Sequence, residues 1–367
     1  MRIAIAAILV LLVSGCRSIG YYAHVAHGQA ALLHERRPIA KVLADPKVPQ
    51  ATRRRLELAT EARRFASMRL DLPDNRSYTY YVQLDRPWVA WNVFATPALS
   101  VTPVTHCFPI AGCVAYRGYF DQGLARREAE REKALGHDVA IGEVPAYSTL
   151  GWFADPILSS MLRWDDDELA GTIFHELAHQ KIYVKDDSSF NESFATFVER
   201  EGLREWRSAR NLPQPDEKDD ALERAFTQQV LALRERLKDL YAKPWTDDAK
   251  RVAKAEEFED FRGRYLAWRD GEAGGDRRYD RWMSRSLNNA SLLPFGLYDT
   301  WVPSFAALFD EAGRSWPAFF ARVKALAKLP PPARTEELQR LSRITVGAGY
   351  AGDPAAAGNL AASTHRR

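Results

Sequence analysis

The feature that most narrows what this chain can become is WDDDELAGTIFHELAHQ, residues 164–180, where His175 and His179 stand one helical turn apart with Glu176 between them. Asp165, with Glu168 three residues on, has the capping-box relation, so the spacing predicts a helix that starts near Asp166. At about 100° per residue, Leu169, Ala170, Ile173, Phe174 and Leu177 fall on one broad apolar face. Glu168, Gly171, Thr172, His175 and His179 share the other. The two imidazoles therefore point the same way, and the small Gly171 and Thr172 leave room for another element to come close.

Zinc takes a tetrahedral set of ligands and a catalytic site keeps one position for water, so two histidines need a third protein ligand. SSFNESFATFVEREG, residues 188–202, reads as a second helix, capped by Ser188 or Ser189 and ended by Gly202. Phe190, Phe194, Phe197, Val198 and Glu201 lie along one side of it, and Glu192, Ala195, Thr196 and Glu199 along the other. The intervening QKIYVKDDSS is long enough to reverse the chain. The predicted centre holds one zinc through His175, His179 and Glu192, with Glu176 free to serve the fourth position. The alternatives are a capped helix with two incidental histidines, or a metal site that has lost its activity.

Such a site lowers the pKa of a bound water, and Glu176 is the base that takes its proton and later passes it to the leaving amine. A donor is then wanted for the oxyanion. Tyr298, in NNASLLPFGLYDTW, is the first candidate, and Tyr147, in AYSTLGWF, is a second that could instead line the substrate site. Each can also be read as a packed tyrosine. Residues 146–153 could form an edge strand that pairs with an extended peptide. Asn288 and Asn289 either bind substrate or cap a helix. An aminopeptidase also needs a carboxylate for the free α-amine. Glu168 and Glu199 lie seven residues from their ligands, roughly 10 Å along a helix, and Glu143 could approach from an edge strand.

The N-terminus reads as a targeting segment. Met1-Arg2 gives a basic start, Ile3 to Val13 is apolar, and LVSGC ends at Cys16. This resembles a bacterial lipoprotein signal, residues 1–16, in which cleavage before Cys16 leaves that cysteine lipid-modified and the protein anchored to a membrane facing the periplasm. An ordinary signal peptide or a short anchor is the alternative, although eleven apolar residues are few for a span. Arg17, where an Asp would signal retention, points by analogy to the outer membrane. In an exported chain Cys107 and Cys113, in CFPIAGC, form an even pair suited to a disulfide. Two buried thiols or a two-cysteine metal site are the alternatives.

The rest of the chain supplies the scaffold. Residues 17–75 read as an N-terminal helical region, strands are expected between 77 and 120, and a charged helix from Gln122 to Leu135. A helical insertion near 215–272 carries Leu222, Phe226, Val230, Leu233, Leu237 and Tyr241 on one helix and Phe258, Phe261, Tyr265 and Trp268 on the next. A short helix follows LPPPAR, and the Ala/Gly-rich stretch 346–367 reads as a disordered tail. The expected class is α+β and helix-rich, a zincin-like core within 76–345 with a small sheet, a metal-binding helix pair and helical additions. Lys+Arg number 51 against 48 Asp+Glu and the two are interspersed, which excludes a nucleic-acid footprint.

HELAHQ followed by FNESFA resembles the glutamate-type zinc peptidases. Together with the Cys16 segment, CFPIAGCVAYRGYF, AYSTLGWFADP, HELAHQKIYV and FNESFATFVE, it resembles the putative aminopeptidase family of bacterial lipoproteins. NESFA is also similar to the Asn-Glu-x-Phe-Ala element of membrane alanyl aminopeptidases. Here, however, the gap between the second histidine and the third ligand is shorter, and no Gly-x-Met-Glu-Asn stretch is present to hold a free amine. The resemblance implies a periplasmic zinc aminopeptidase with a peptide substrate. A zinc endopeptidase, a cell-wall peptide amidase and a noncatalytic zinc-binding assembly factor stay open, and the sequence names no protein partner.

Overall fold

Ala, Leu, Arg and Glu recur at three- and four-residue spacing through most of the chain, so helix dominates, and short aromatic and β-branched runs supply the strands. The computed structural model describes residues 2–108, 112–214, 217–295 and 300–348. The helices are α1 (Arg2–Glu35), α2 (Ile39–Leu43), α3 (Gln50–Arg69), α4 (Gln122–Ala134), α5 (Asp166–Lys181) and α6 (Ser188–Ala209). They continue with α7 (Glu217–Ala242), α8 (Asp247–Asp270), α9 (Asp280–Met283), α10 (Val302–Glu311), α11 (Trp316–Ala327) and α12 (Pro331–Ala348). The strands are β1 (Arg37–Pro38), β2 (Tyr80–Val82), β3 (Ala90–Pro97), β4 (His106–Phe108), β5 (Gly112–Val114), β6 (Tyr116–Tyr119), β7 (His137–Val144) and β8 (Ile157–Leu158). The fold is α+β and helix-rich.

β3 is the centre of an antiparallel sheet with β6 and β7 as its edges, so that Phe94 faces Tyr116 on one side and Ala140 on the other. β2 pairs antiparallel with β1 and parallel with β8, and β4 and β5 form a hairpin. The main core joins Leu56, Ala59, Ala62 and Ala66 of α3 to Ile173, Phe174 and Leu177 of α5 and to the phenylalanines of α6. Phe190 and Phe194 are fully buried and meet Phe305 at ring separations of 5.3 and 5.7 Å. Each such side chain contributes roughly 1.5–3 kcal/mol by leaving water. A second core lies between α7 and α8, where Phe226, Val230, Leu233, Phe261 and Tyr265 pack with Leu292 and Phe295.

Several elements differ from the expectations. Asp187, not Ser188 or Ser189, caps α6, accepting from Phe190 N. The helix also runs through Gly202 to Ala209, because that glycine serves packing: a Cβ there would sit 2.8 Å from Leu70 Cδ1 and 3.0 Å from Phe174 Cδ2. Residues 146–153 form a loop with turns, not a strand, since Leu150 and Gly151 take φ of 55° and 81°; the edge strand is β7 just before it. α12 extends to Ala348, and the rest of the expected tail lies outside the described residues. α1 passes through residue 16 without a break. Among the described residues no helix is long and apolar enough to cross a membrane.

Candidate metal centre

α5 and α6 run antiparallel and in close contact, Gly171 facing Leu203 and Glu199 while Phe174 faces Gly202. Local chemistry fixes both helices. Asp165 caps α5 by accepting from Glu168 N at 2.8 Å, and three acids in the first turn suit the helix dipole. Arg55 and Arg207 neutralise two of them, Asp166 and Asp167. At the other end Lys181 pairs with Asp71 at 3.1 Å. The connection is held by Asn191, buried at 1% exposure, which accepts from Val184 N and donates to Val184 O, both at 2.7 Å. Asp187, the α6 cap, also takes the buried guanidinium of Arg334 at 2.7 Å. The residue after Asn191 is Glu192.

This framework brings together the three predicted ligands. His175 Nε2 and His179 Nε2 are 3.1 Å apart, and Glu192 Oε2 lies 3.3 Å from the first and 3.6 Å from the second. Metal bonds of about 2.0–2.1 Å in a tetrahedral set place neighbouring ligand atoms about 3.3–3.4 Å apart. The three atoms therefore surround one point at the spacing that a small divalent ion requires, and no other trio of described His, Cys, Asp or Glu residues does so.

Glu199, two turns beyond Glu192, accepts from His175 Nδ1 at 3.0 Å. A carboxylate there puts a ring proton on Nδ1 and makes Nε2 the nitrogen that can offer its lone pair to a metal. Gly171 allows it, because a Cβ there would lie 3.1 Å from Glu199 Oε1. His179 Nδ1 is buried with no hydrogen-bond partner among the described residues, so the two histidines are unequally supported. Burial opposes charge on His175, but bonds to Glu192 and Glu199 outweigh it and hold the imidazole pKa well above its ordinary value. Burial also opposes the Glu192 carboxylate, and His179 and His175 outweigh it and hold its pKa well below the usual range. The pairing thus favours the charged form of each partner.

Glu176 is half-buried on the same turn. Its charge is felt by Tyr78 and Asp155, whose pKa values are raised first by burial and further by Glu176, that of Asp155 to about 6. Asp155 anchors the loop before β8 by accepting from Thr149 N at 2.9 Å and Thr149 Oγ1 at 2.7 Å. Two further tyrosines border the centre. The Tyr183 ring is 6.3 Å from that of His179, and Tyr116 on edge strand β6 packs 5.5 Å from Phe94. Burial raises both phenol pKa values, and the Glu192 carboxylate adds to each.

The remaining expected site residues have the following places in the fold. Tyr147 packs edge-on against Phe120 at 5.2 Å, and burial pushes its phenol up to about 12. Glu143 lies on edge strand β7 with Arg285 at 3.7 Å. Asn288 caps a short 3₁₀ helix, accepting from Ser291 N and donating to Val139 O, so its side chain serves the fold. Asn289 is buried and donates to Ala98 O and Ser100 O. Tyr298 lies outside the described residues. Cys107 and Cys113 are joined across the β4–β5 hairpin with an S–S distance of 2.02 Å, and Cys113 N donates to Asp186, tying the hairpin to the α5–α6 connection. Glu199 enters the sequence reading only as a distant carboxylate for the α-amine, and Asn191 and Asp155 only as members of NESFA and AYSTLGWFADP, with no role of their own.

The sequence profile of the putative aminopeptidase family matches residues 20–338. The chain belongs to that family. Membership supports a peptidase function, and with it a peptide substrate. The matched span includes both helices that carry His175, His179 and Glu192, the second core, and the main core except Leu341. No curated protein and no solved structure matches the chain.

Proposed function

We propose that the protein is a zinc-dependent aminopeptidase of the bacterial periplasm, anchored through lipid on Cys16 and facing the periplasm from the outer membrane. The observation that carries the enzymatic part is the tetrahedral spacing of His175 Nε2, His179 Nε2 and Glu192 Oε2. Two neutral imidazoles and one carboxylate are a donor set suited to zinc. When bound, zinc supplies a Lewis acid that polarises a carbonyl and makes water a nucleophile at neutral pH.

The chain's residues do the rest. His175, His179 and Glu192 hold the ion, and Glu199 keeps the His175 ring turned toward it. Glu176 takes the proton from the attacking water and delivers it to the leaving amine. Glu143 is the proposed partner of the free α-amine, for which the substrate would compete with Arg285. The LVSGC segment supports the anchor, and the family supports the exopeptidase reading.

The test uses the protein without its first 16 residues, analysed for metal and incubated with a peptide and its N-acetylated twin. About one zinc per chain is expected. His175→Ala, His179→Ala and Glu192→Ala should lose it, whereas Glu176→Gln should keep it and lose cleavage. Release of zinc by Glu176→Gln with retention by Glu192→Ala would refute the assignment of roles. Stepwise cleavage of the free peptide alone supports an aminopeptidase, and internal cleavage of both peptides makes the enzyme an endopeptidase.

A further inference from the structure

We propose that the open cavity bounded by the first turns of α3, the loop after β2 and the 3₁₀ turn Met161–Arg163 binds a small phosphate monoester. Its volume is about 500 Å³, room enough for a sugar phosphate or a lipid headgroup. Arg55 in its wall reaches Asp166 at the start of α5, and Asp166 is nine residues, roughly 14 Å along that helix, from His175. The cavity is therefore separate from the metal centre.

Three guanidiniums from three chain segments line it: Arg55 from α3, Arg86 from the loop and Arg163 from the 3₁₀ turn, against one acid, Asp85. Their charge is only partly met. Arg86 pairs with Asp85 at 2.9 Å and Arg55 pairs with Asp166, but those carboxylates are 88% and 68% exposed, so water screens both pairs. Arg163 pairs with no carboxylate among the described residues; it donates to Pro87 O and lies over the Trp88 ring at 4.8 Å. Donors also exceed acceptors. The Nε atoms of Arg55 and Arg86 are buried with no hydrogen-bond partner among the described residues. α3 adds to the excess, because its N-cap is Pro49, which has no side-chain oxygen, its first turn holds no acid, and Thr52 of that turn lines the cavity. What this wall lacks is a ligand that carries negative charge and accepts hydrogen bonds. A phosphate monoester spreads its charge over three oxygens in different directions, which suits guanidiniums from three segments better than the two coplanar oxygens of a carboxylate. Leu84 and Leu162 supply an apolar surface for the organic part.

The test titrates the purified full-length protein, held in neutral detergent, with glycerol 3-phosphate, soluble dihexanoyl phosphatidic acid, acetate and sulfate, and follows heat of binding and melting temperature. At least one phosphate monoester should bind and raise the melting temperature, and the tighter of the two tells a free phosphate ester from a lipid headgroup as the source. Arg86→Gln and Arg163→Gln should each weaken that binding about tenfold or more and leave the ligand-free melting temperature largely unchanged. Arg322→Gln, which alters an exposed arginine paired with Glu311, should leave the affinity as it was. Failure of both monoesters to bind overturns the assignment, as does binding that both variants retain within about twofold. Sulfate that binds as tightly as the monoesters marks an adventitious ion only and overturns it too, and so does tighter binding of acetate, which would make the site one for carboxylates. None of these measurements involves peptide cleavage, so the result stands apart from the peptidase reading.

Discussion

Removing Glu199 tests whether the proposed metal centre depends on a residue outside its ligand set. The bond from His175 Nδ1 to Glu199 Oε2 is 3.0 Å long and ends on a carboxylate, which places it among the stronger hydrogen bonds. Loss of such a partner to a ligating histidine weakens metal binding by about 10–100-fold, or about 1.4–2.7 kcal/mol. The Glu199 side chain is 29% exposed, so solvent screens part of the interaction. Glu199→Gln, which can still accept a bond, should fall near the tenfold end, and Glu199→Ala, which removes this acceptor from Nδ1, nearer the upper end. Proton competition refines this. Burial opposes charge on His175, but Glu192 and Glu199 outweigh it and raise its pKa, so a proton competes with zinc more strongly than at an ordinary imidazole. Removing Glu199 lowers that pKa and eases the competition, so the loss in affinity should grow as pH rises. Zinc titrations against a competing chelator at several pH values measure both effects. Gly171→Ala, whose Cβ would press on Glu199, should weaken binding in the same direction, and the double variant should lose less than the sum. Unchanged zinc affinity in Glu199→Ala, or strict additivity with Gly171→Ala, would refute the reasoning.

Burial raises Asp155 from 3.8 to about 6, with Glu176 adding to the shift against the opposing Thr149 and Ser148 hydrogen bonds. The folded state thus holds this proton longer than the unfolded chain, so stability is highest below the unfolded pKa and falls by about 3 kcal/mol as pH rises through the folded one. Asp155→Asn should flatten urea stability between pH 4 and 7, and an unchanged slope would contradict it. Gly202→Ala inserts a methyl within 2.8 Å of Leu70 Cδ1, which costs about 1–3 kcal/mol against about 1 kcal/mol gained in helix propensity. The variant should melt lower; a higher melting temperature would show that the α3–α5–α6 contact yields easily. Joint replacement of Cys107 and Cys113 by serine frees a short loop in the unfolded chain and should cost about 2 kcal/mol. Equal urea midpoints for the two proteins would count against that.

What was legible in the sequence was what one helix or one turn decides. The face shared by His175 and His179 follows from helical period, the Asp165 cap from its spacing to Glu168, and the approach of Glu192 from the small residues beside it. Distance along a helix misleads once two helices cross. Glu199 lies two turns from Glu192, a long reach on that helix, yet α6 runs antiparallel to α5 and so carries Glu199 back to His175. Gly202 failed as a stop signal for a related reason. A glycine ends a helix when the left-handed conformation relieves its end, but here the missing Cβ admits Leu70, the C-cap of α3, a neighbour no local pattern announces. Asn191 is the clearest case of information hidden in plain residues. Beside Glu192 it looks like part of a motif for chemistry, whereas its side chain is spent on the Val184 backbone. The turn it builds sets Glu192 against the two histidines and holds Tyr183 beside them. A candidate ligand set can be read from spacing, but the rigidity that holds its members in place resides in such clamps, which only the fold displays.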